Sequence, residues 1–464
     1  MSPGLLIVLV YAVLVTGVFS LYDSGLLYLI IRMMGRDPRI VEVFDSEADG
    51  MPEFKLPTMT VLLPLYKERR TLARLVKSVL GSDYPREKLD VRFLVEHDDA
   101  LTLGSILELP DKARQAGGVE YDAYGIPKSV KVWNGVRASI DVVYEGIRTK
   151  PNALNVGLKN ARGSIITIYD AEDRPDLKQL RKVAVYMTKH PGVACVQARL
   201  SYYNPDQSVL TKLFAVEYIQ HFLVYLPELY MMKNVIPLGG TSNFFRVEVL
   251  RGLEGWDPKN VTEDADLGIR LSRLGYSVVP INTVTWEEAP PKLYFWIRQR
   301  VRWNKGFLYT LAVHYRNPRK LVRDVGLKQA AFLFLLLVYP IISMIAIFGW
   351  AFFLVYWINW FGLPLQPLAG WVLTAYNYSP LVFYTSMLTF AFGILYGVLT
   401  TMDGLFRQGD EYALRKVKYT LISPLYLLLH AVASLIAVVE LLLRPQVWHK
   451  TPHGFSIEEE ADDE

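Results

Sequence analysis

Hydrophobicity is distributed along this chain in blocks, and the blocks limit what it can fold into. The run from about Leu5 to Met34 is interrupted only by Asp23 and Arg32. As a helix it would reach about 45 Å, more than the ~30 Å of hydrocarbon in a bilayer. Three further runs, about Gln329 to Trp360, Tyr378 to Thr401 and Thr420 to Leu443, are each long enough to span. The first run has no basic start and no small-residue cleavage site, so it reads as an anchor and not as a cleaved leader. Arg32, Arg36 and Arg39 follow it, which places the next residues in the cytoplasm. The uncharged loop 361–377 suits the outside, and loop 403–419, with Arg407, Arg415, Lys416 and Lys418, suits the inside. Strict alternation would then put the tail outside, whereas Arg444, His449, Lys450 and His453 favour the inside. The expected division is a transmembrane helix over 1–36, a cytosolic domain over 58–310, a helical region of about three spans over 329–443, and a polar tail over 444–464. The protein is thus expected to be multi-pass in the cell membrane, with the lipid bilayer as a partner. A net charge of +4 over 464 residues gives no reason to expect a nucleic-acid partner. The one cysteine, Cys195, lies in the apolar run GVACVQA and reads as core packing.

Between the apolar blocks, strand and helix patterns alternate. Residues 40–57 are acidic and irregular and read as a linker. TVLLPLY is a buried strand, LARLVKSVL has helical spacing, and VRFLV is a second strand. VKVW is short and strand-like, 152–160 and Leu177–Lys189 are helical, and VACVQARLSYY is another strand. Residues 207–235, rich in Phe, Tyr, Leu and Met, read as helices close to a membrane. FFRVEVL is strand-like, VTEDADLGIRLSRLGY runs into a helix, and Leu293–Leu311 reads as a helix at the membrane surface. This alternation predicts an α/β domain with a mostly parallel sheet and helices on both faces.

The chemistry is concentrated where strands end. In IITIYDAEDRP, five β-branched or aromatic residues precede Asp170, Glu172 and Asp173. Open α/β sheets bind ligands at the carboxyl ends of their strands, and crowded carboxylates repel unless a cation joins them. Mg²⁺ or Mn²⁺ suits oxygen ligands; a solvated polar turn is the plainer alternative. PLYKE ends the first strand: Pro64 leads to Tyr66, a stacking face, and Glu68, an acceptor for ribose or base donors. EHDDA ends the second strand with Glu96, Asp98 and Asp99. KPNALNVGL sets Lys150 before a helix carrying Asn152 and Asn155. PLGGTSN, with Gly240 and Thr241, precedes VTEDADL, whose Thr262, Glu263 and Asp264 also suit a helix N-terminus. Gln299, Arg302 and Trp303 lie at the spacing QxxRW, in a segment whose basic and aromatic character also suits headgroups.

These motifs, in this order over residues 58 to about 310, resemble the family 2 inverting glycosyltransferases of GT-A (Rossmann-like, mostly parallel sheet) fold. The flanking helices resemble those of cellulose and hyaluronan synthases and of exopolysaccharide glycosyltransferases. The resemblance implies an α/β GT-A cytosolic domain combined with α-helical transmembrane segments. It implies a base-and-ribose site at Pro64, Tyr66, Glu68, Glu96 and Asp98, with Glu96 where the family usually has Asp. Lys150, beside Asn155, would reach the diphosphate, and Asp170 and Glu172 would hold Mg²⁺ or Mn²⁺, with Glu172 in place of the family's second Asp. Asp264 would be the general base beside Glu263, with Gly239 and Gly240 letting the acceptor sugar approach the backbone and Gly240 and Thr241 among the substrate-binding residues. Gln299, Arg302 and Trp303 would serve the diphosphate and the acceptor sugar. The implied reaction moves a sugar from a UDP- or GDP-linked donor to a growing polysaccharide, β-linked and by repeated addition. Transfer of one sugar to a polyprenyl phosphate or other lipid acceptor is the rival, and a non-catalytic nucleotide-sugar-binding scaffold is a rival of another class.

Overall fold

The computed structural model describes residues 40–108, 120–121, 127–133, 135–345, 361, 380–409, 411–420, 422–444 and 454. The expected span over 1–36 lies outside them, as do most of loop 361–377 and of the tail. The described residues form two compact units: a sheet unit of 40–295 with 317–327 and Gly454, and a helical unit of 296–316 with the residues from 328 to 444.

The sheet unit is built on strands β1 (Met59–Leu65), β2 (Leu89–Glu96), β3 (Glu120–Tyr121), β4 (Pro127–Trp133), β5 (Val136–Val143), β6 (Ile165–Ile168), β7 (Arg174–Pro175), β8 (Cys195–Tyr202), β9 (Asn243–Arg246) and β10 (Val278–Glu287). Their order is β3-β4-β5-β2-β1-β6-β9-β8-β10-β7. β5, β2, β1 and β6 run parallel, as do β8 and β10. β9 is antiparallel to both β6 and β8. β2 is buried along its whole length, as expected of a strand covered on both faces. The sheet is flanked by helices α1 (Asp45–Asp49), α2 (Leu72–Leu80), α3 (Lys150–Asn160), α4 (Gln179–Lys189), α5 (Val209–Gln220) and α6 (Glu263–Arg273).

Three segments differ from expectation, and a fourth is helical as expected. β5 is a full strand, hidden in the sequence by its charges. Asp141 on it is held by Arg92 of β2 at 3.0 Å, and Arg92 also reaches Asp90 at 3.0 Å, so the charges are buried as partners. Residues 40–57 are not an irregular linker. Val41 bridges to the β10 backbone, donating to the Pro280 carbonyl and accepting from Asn282. Lys178 pairs with Asp49 (2.7 Å) and Lys182 with Asp45 (2.7 Å), which joins α1 to the start of α4. FFRVEVL divides: β9 ends at Arg246 and a short helix, Val247–Gly252, follows. Residues 209–231 form one long helical stretch with a π-helical turn at His221–Tyr225. Its aromatics stack in the sheet unit: Phe214 and Tyr218 both pack on Tyr202 of β8.

In the helical unit, α7 (Leu293–His314) carries the QxxRW residues, and its first three residues belong to the sheet unit. α8 (Pro318–Val325) returns to the sheet unit, and α9 (Leu327–Leu337), α10 (Pro380–Gln408) and α11 (Ser423–Leu443) follow. α7 packs on α11 through Val301 against Ala433 and Ala437. Polar contacts run beside this seam: Trp296 Nε1 donates to Tyr426 Oη (3.0 Å) and Asn304 Nδ2 to Ser434 Oγ (2.9 Å). Among the described residues, Val209–Met231 and Leu425–Leu443 are long and apolar enough to cross a membrane. Leu327–Leu337 and Tyr339–Ile345 make a third if they act as one span; they bend by 49° beside Pro340, whose ring cannot continue a helical ladder.

One glycine fixes where α6 sits. A Cβ on Gly268 would lie 2.4 Å from the Ile236 carbonyl and 3.1 Å from the Leu238 amide, both backbone. The helix therefore rests directly on the segment that leads into PLGGTSN. Gly268→Ala is expected to destabilise the protein by about 1–3 kcal/mol through overpacking. Gly192→Ala, where nothing lies within 4 Å, is the control expected to stay within about 0.5 kcal/mol. Thermal unfolding of both variants checks this.

Candidate active site

The carboxyl ends of β1, β2 and β6 share one edge, because the three strands are parallel and in register. The antiparallel β9 brings its amino end to the same edge, and with it the loop 239–242. Ser242 N–H donates to the Ile168 carbonyl (2.9 Å) at the end of β6, and the Thr241 hydroxyl lies 3.0 Å from that same oxygen. Thr241 also contacts the Asp173 carboxylate, which in turn accepts from the Asp170 amide at 2.7 Å. Gln197 of β8 steadies the loop from below, accepting from Gly239 N–H (2.8 Å) and donating to the Thr241 carbonyl (3.2 Å). Tyr169, beside Asp170, is pinned by a buried chain: its hydroxyl donates to Gln179, whose amide donates to Thr285, which accepts from Ser242.

Lys150 joins the parts. Its ammonium lies 2.5 Å from Asp170 Oδ1 and donates to the Gly240 carbonyl at 2.8 Å. A Cβ on Gly240 would lie 3.4 Å from Asp264 Oδ2 and 3.9 Å from Lys150 Nζ, in ordinary contact with both, so the loop backbone runs directly beside these two groups. Burial pulls the Lys150 ammonium down, but Asp170, Glu263 and Asp264 together raise it. Asp170, Lys150, Gly240, Glu263 and Asp264 therefore converge. Asp264 sits in the first turn of α6, where its Oδ1 accepts from Ala265 N–H (2.7 Å). Thr262 occupies the cap position without a side-chain cap bond; its amide and hydroxyl turn to Asn260.

Burial and like charge shape the rest. Burial first, then Asp170, pushes Glu172 up from 4.5 to about 8. Burial, then Asp264, does the same to Glu263 against the pull of Lys150. Asp173 and Glu287 are also raised, by burial and then by Glu287 and Glu172 respectively. Glu287 and Glu288, in TWEEAP, were not singled out in the sequence. They too are carboxylates ending a strand, which was the signal available. Gly454 N–H donates to Glu288 Oε2 at 2.5 Å. Asp173 Oδ1 is buried and makes no hydrogen bond among the described residues. Among the described residues no three His, Cys, Asp or Glu side chains form a ready-made metal cage. A Mg²⁺-like ion asks for one or two carboxylates plus substrate phosphates, and the hard oxygens here fit that demand.

The other expected residues fall in three places. At the ends of β1 and β2, Pro64 and Tyr66 are half-buried, while Glu68 and Glu96 are buried. Burial raises the Glu96 carboxyl, opposed by Arg148. Asp98 is exposed and paired with Arg148 at 3.0 Å. Asp99, left without a role in the sequence reading, accepts from the Lys67 amide at 2.5 Å and holds that residue at φ 58°. Asn155 points elsewhere: its amide donates to the Trp256 carbonyl (2.8 Å) and accepts from its N–H (2.9 Å), fixing the turn before α6. Gln299, Arg302 and Trp303 lie on α7 in the helical unit. Gln299 Oε1 and Arg302 Nε make no hydrogen bond among the described residues. Arg300, between them, lies over the Trp303 and Trp296 rings at 4.4 and 5.3 Å.

The family described as glycosyl transferase family group 2 matches residues 165–433, more than half of the 464. The chain belongs to this family. It is 24% identical over 272 residues to the probable glycosyltransferase YdaM of Bacillus subtilis, covering 57% of this chain and 60% of that protein. It is 22% identical over 308 residues to a glucomannan 4-beta-mannosyltransferase of Arabidopsis thaliana, covering 64% and 54%. The chain thus spans about half to three-fifths of the length of these relatives. Among solved structures, the mannosyltransferase PcManGT from Pyrobaculum calidifontis, in complex with GDP-Man and Mn²⁺, aligns with TM-score 0.51 at 18% identity. The alignment covers 92% of this chain and 99% of that one, and the two share the GT-A fold. The protein is a family 2 glycosyltransferase built on that fold.

The raised carboxyls have a measurable sign. Glu172 and Glu263 keep protons in the folded protein that the unfolded chain has lost above about 4.5, so their contribution to stability is lost as pH rises through about 8. The unfolding temperature of ligand-free protein in detergent is expected to fall between pH 5 and 8. Glu172→Gln should flatten that fall.

Proposed function

We propose that this family 2 enzyme is a membrane-integrated, inverting transferase that moves mannose from GDP-mannose to a growing β-linked polysaccharide by repeated addition. The convergence of Asp170, Lys150, Gly240 and Asp264 on one edge of the sheet carries the reading. The names of the plant relatives and the GDP-Man bound to the structural neighbour support the choice of donor, and the apolar helices support membrane integration.

In this reading the base and ribose sit over Tyr66, Glu68, Glu96 and Asp98, where β1 and β2 end. The diphosphate lies at Lys150. Asp170 and Glu172 would hold Mg²⁺ or Mn²⁺, which when bound supplies Lewis-acid neutralisation of the diphosphate. Asp264, with Glu263 beside it, takes the proton of the acceptor hydroxyl as that oxygen bonds the anomeric carbon. The bond from that carbon to the phosphate oxygen breaks, and nucleoside diphosphate leaves with the electron pair. Attack opposite to departure turns an α-linked donor into a β-linked product. Gly240 and Thr241 keep the acceptor's approach clear, and Asn155 holds the turn that positions α6. Gln299, Arg302 and Trp303 are assigned to the diphosphate and the acceptor, Arg302 through its fork of donors and Trp303 by stacking.

Purified protein given GDP-mannose and Mn²⁺ is expected to release GDP faster than it releases UDP from UDP-sugars. Asp264→Asn should lower that release by roughly 10²–10⁴-fold with GDP binding nearly unchanged. Full turnover in this variant removes Asp264 from the role. Chelation should stop turnover and added Mn²⁺ restore it. A ladder of products on a gel supports repeated addition; a single lipid-linked sugar contradicts it.

A further inference from the structure

Between α7 and the apolar helix α9 lies the stretch RNPRKLVRDVGLK, residues 316–328. It holds five cations, Arg316, Arg319, Lys320, Arg323 and Lys328, and one acid, Asp324. Its middle is the helix α8, started by Asn317, whose side chain accepts from Lys320 N–H (3.1 Å), and by Pro318 in the first turn. Gly326, at φ 88°, ends it and turns the chain into α9.

The two faces of α8 are used differently. Leu321 (0% exposed) and Val325 (8%) are buried in the sheet unit. Asp324 is taken by Arg273, at the last turn of α6, at 2.7 Å, and that contact pulls its carboxyl below the ordinary range. Arg319, Lys320 and Arg323 are exposed. A helix that inserts into acyl chains keeps its apolar stripe free. Here that stripe is already covered by protein, and the one acid is already paired. What remains outward is cationic, one residue of chain away from a helix of membrane-spanning character.

We propose that the outer face of α8 docks anionic phospholipid headgroups. The inference rests on the membrane-integrated reading above, because it requires α8 to lie at headgroup level. A cluster of basic residues beside a spanning helix is drawn to anionic lipid, each contributing roughly fivefold in affinity. The contact fits headgroup phosphates rather than acyl chains, since Arg and Lys side chains are the groups on offer. It is also tied to the catalytic helix, because α8 is joined by the Asp324–Arg273 pair to α6, which carries Asp264 in its first turn.

The test uses the purified full-length chain in mild detergent, offered phosphatidylglycerol or phosphatidylcholine, with bound lipid counted by native mass spectrometry. Wild type is expected to retain phosphatidylglycerol at least tenfold over phosphatidylcholine, and to lose the preference in 0.5 M salt. Arg319→Gln/Lys320→Gln/Arg323→Gln should reduce the preference at least fivefold, and the corresponding triple Glu variant should remove it. Retained preference in the Glu variant, or equal retention of both lipids by wild type, overturns the proposal. So does binding of polyglutamate in place of phosphatidylglycerol, which would assign the face to an acidic protein. Recovery of the protein in a detergent-free soluble extract is a separate result: it defeats the membrane reading itself.

Discussion

The ion pair between Lys150 and Asp170 is the contact on which the site depends. Asp170, Glu172, Asp173, Glu263, Asp264, Glu287 and Glu288 lie around one end of the sheet, and burial with mutual repulsion raises the carboxyls of Glu172, Asp173, Glu263 and Glu287. Buried like charges cost free energy unless a cation or a proton intervenes. Lys150 supplies one positive charge from the first turn of α3. It is held by Asp170 from β6 and by the Gly240 carbonyl from the loop before β9, so three separate elements meet at a single ammonium. The remaining negative charge suits a substrate that arrives with a divalent ion. In the proposed function, the crowding of like charge that costs stability would favour a metal–diphosphate complex.

Topology makes the meeting possible. β9 runs against its neighbours, and a parallel strand in its place would have taken the loop 239–242 to the opposite edge. The glycines act at close approaches. Gly268 lets α6 rest on backbone at Ile236, and Gly240 carries the loop backbone past Asp264 and Lys150. Asn155 and Gly255 fix the turn that aims α6: a Cβ on Gly255, at φ 73°, would strike Asn155 Oδ1.

Much of this was legible in the sequence, for physical reasons that differ by element. β1 is a nearly continuous apolar run, and β2 and β8 carry apolar cores, FLV and CV with Ala and Leu, that mark strands covered on both faces. The carboxylates after β6 stood out because three of them, Asp170, Glu172 and Asp173, crowd together where a buried strand ends. β5 was hidden because Arg137, Ser139 and Asp141 break its pattern, and their partners, such as Arg92, lie in another strand. The region 40–57 looked like a linker because its order comes from lysines more than a hundred residues away. Asn155 was read as a substrate contact from its place beside Lys150, whereas its partner, Trp256, is distant in sequence. Glu287 and Glu288 followed the rule that exposed Asp170, and were passed over because no motif framed them.

The most direct measurement is GDP binding by titration calorimetry, with and without Mn²⁺, in wild type and in Asp170→Asn. If the acidic edge of the sheet grips the diphosphate through a divalent ion, Mn²⁺ should tighten GDP binding to wild type by at least tenfold, and the variant should lose that gain. An equal gain in both proteins would contradict the role given to Asp170 and to the edge it marks.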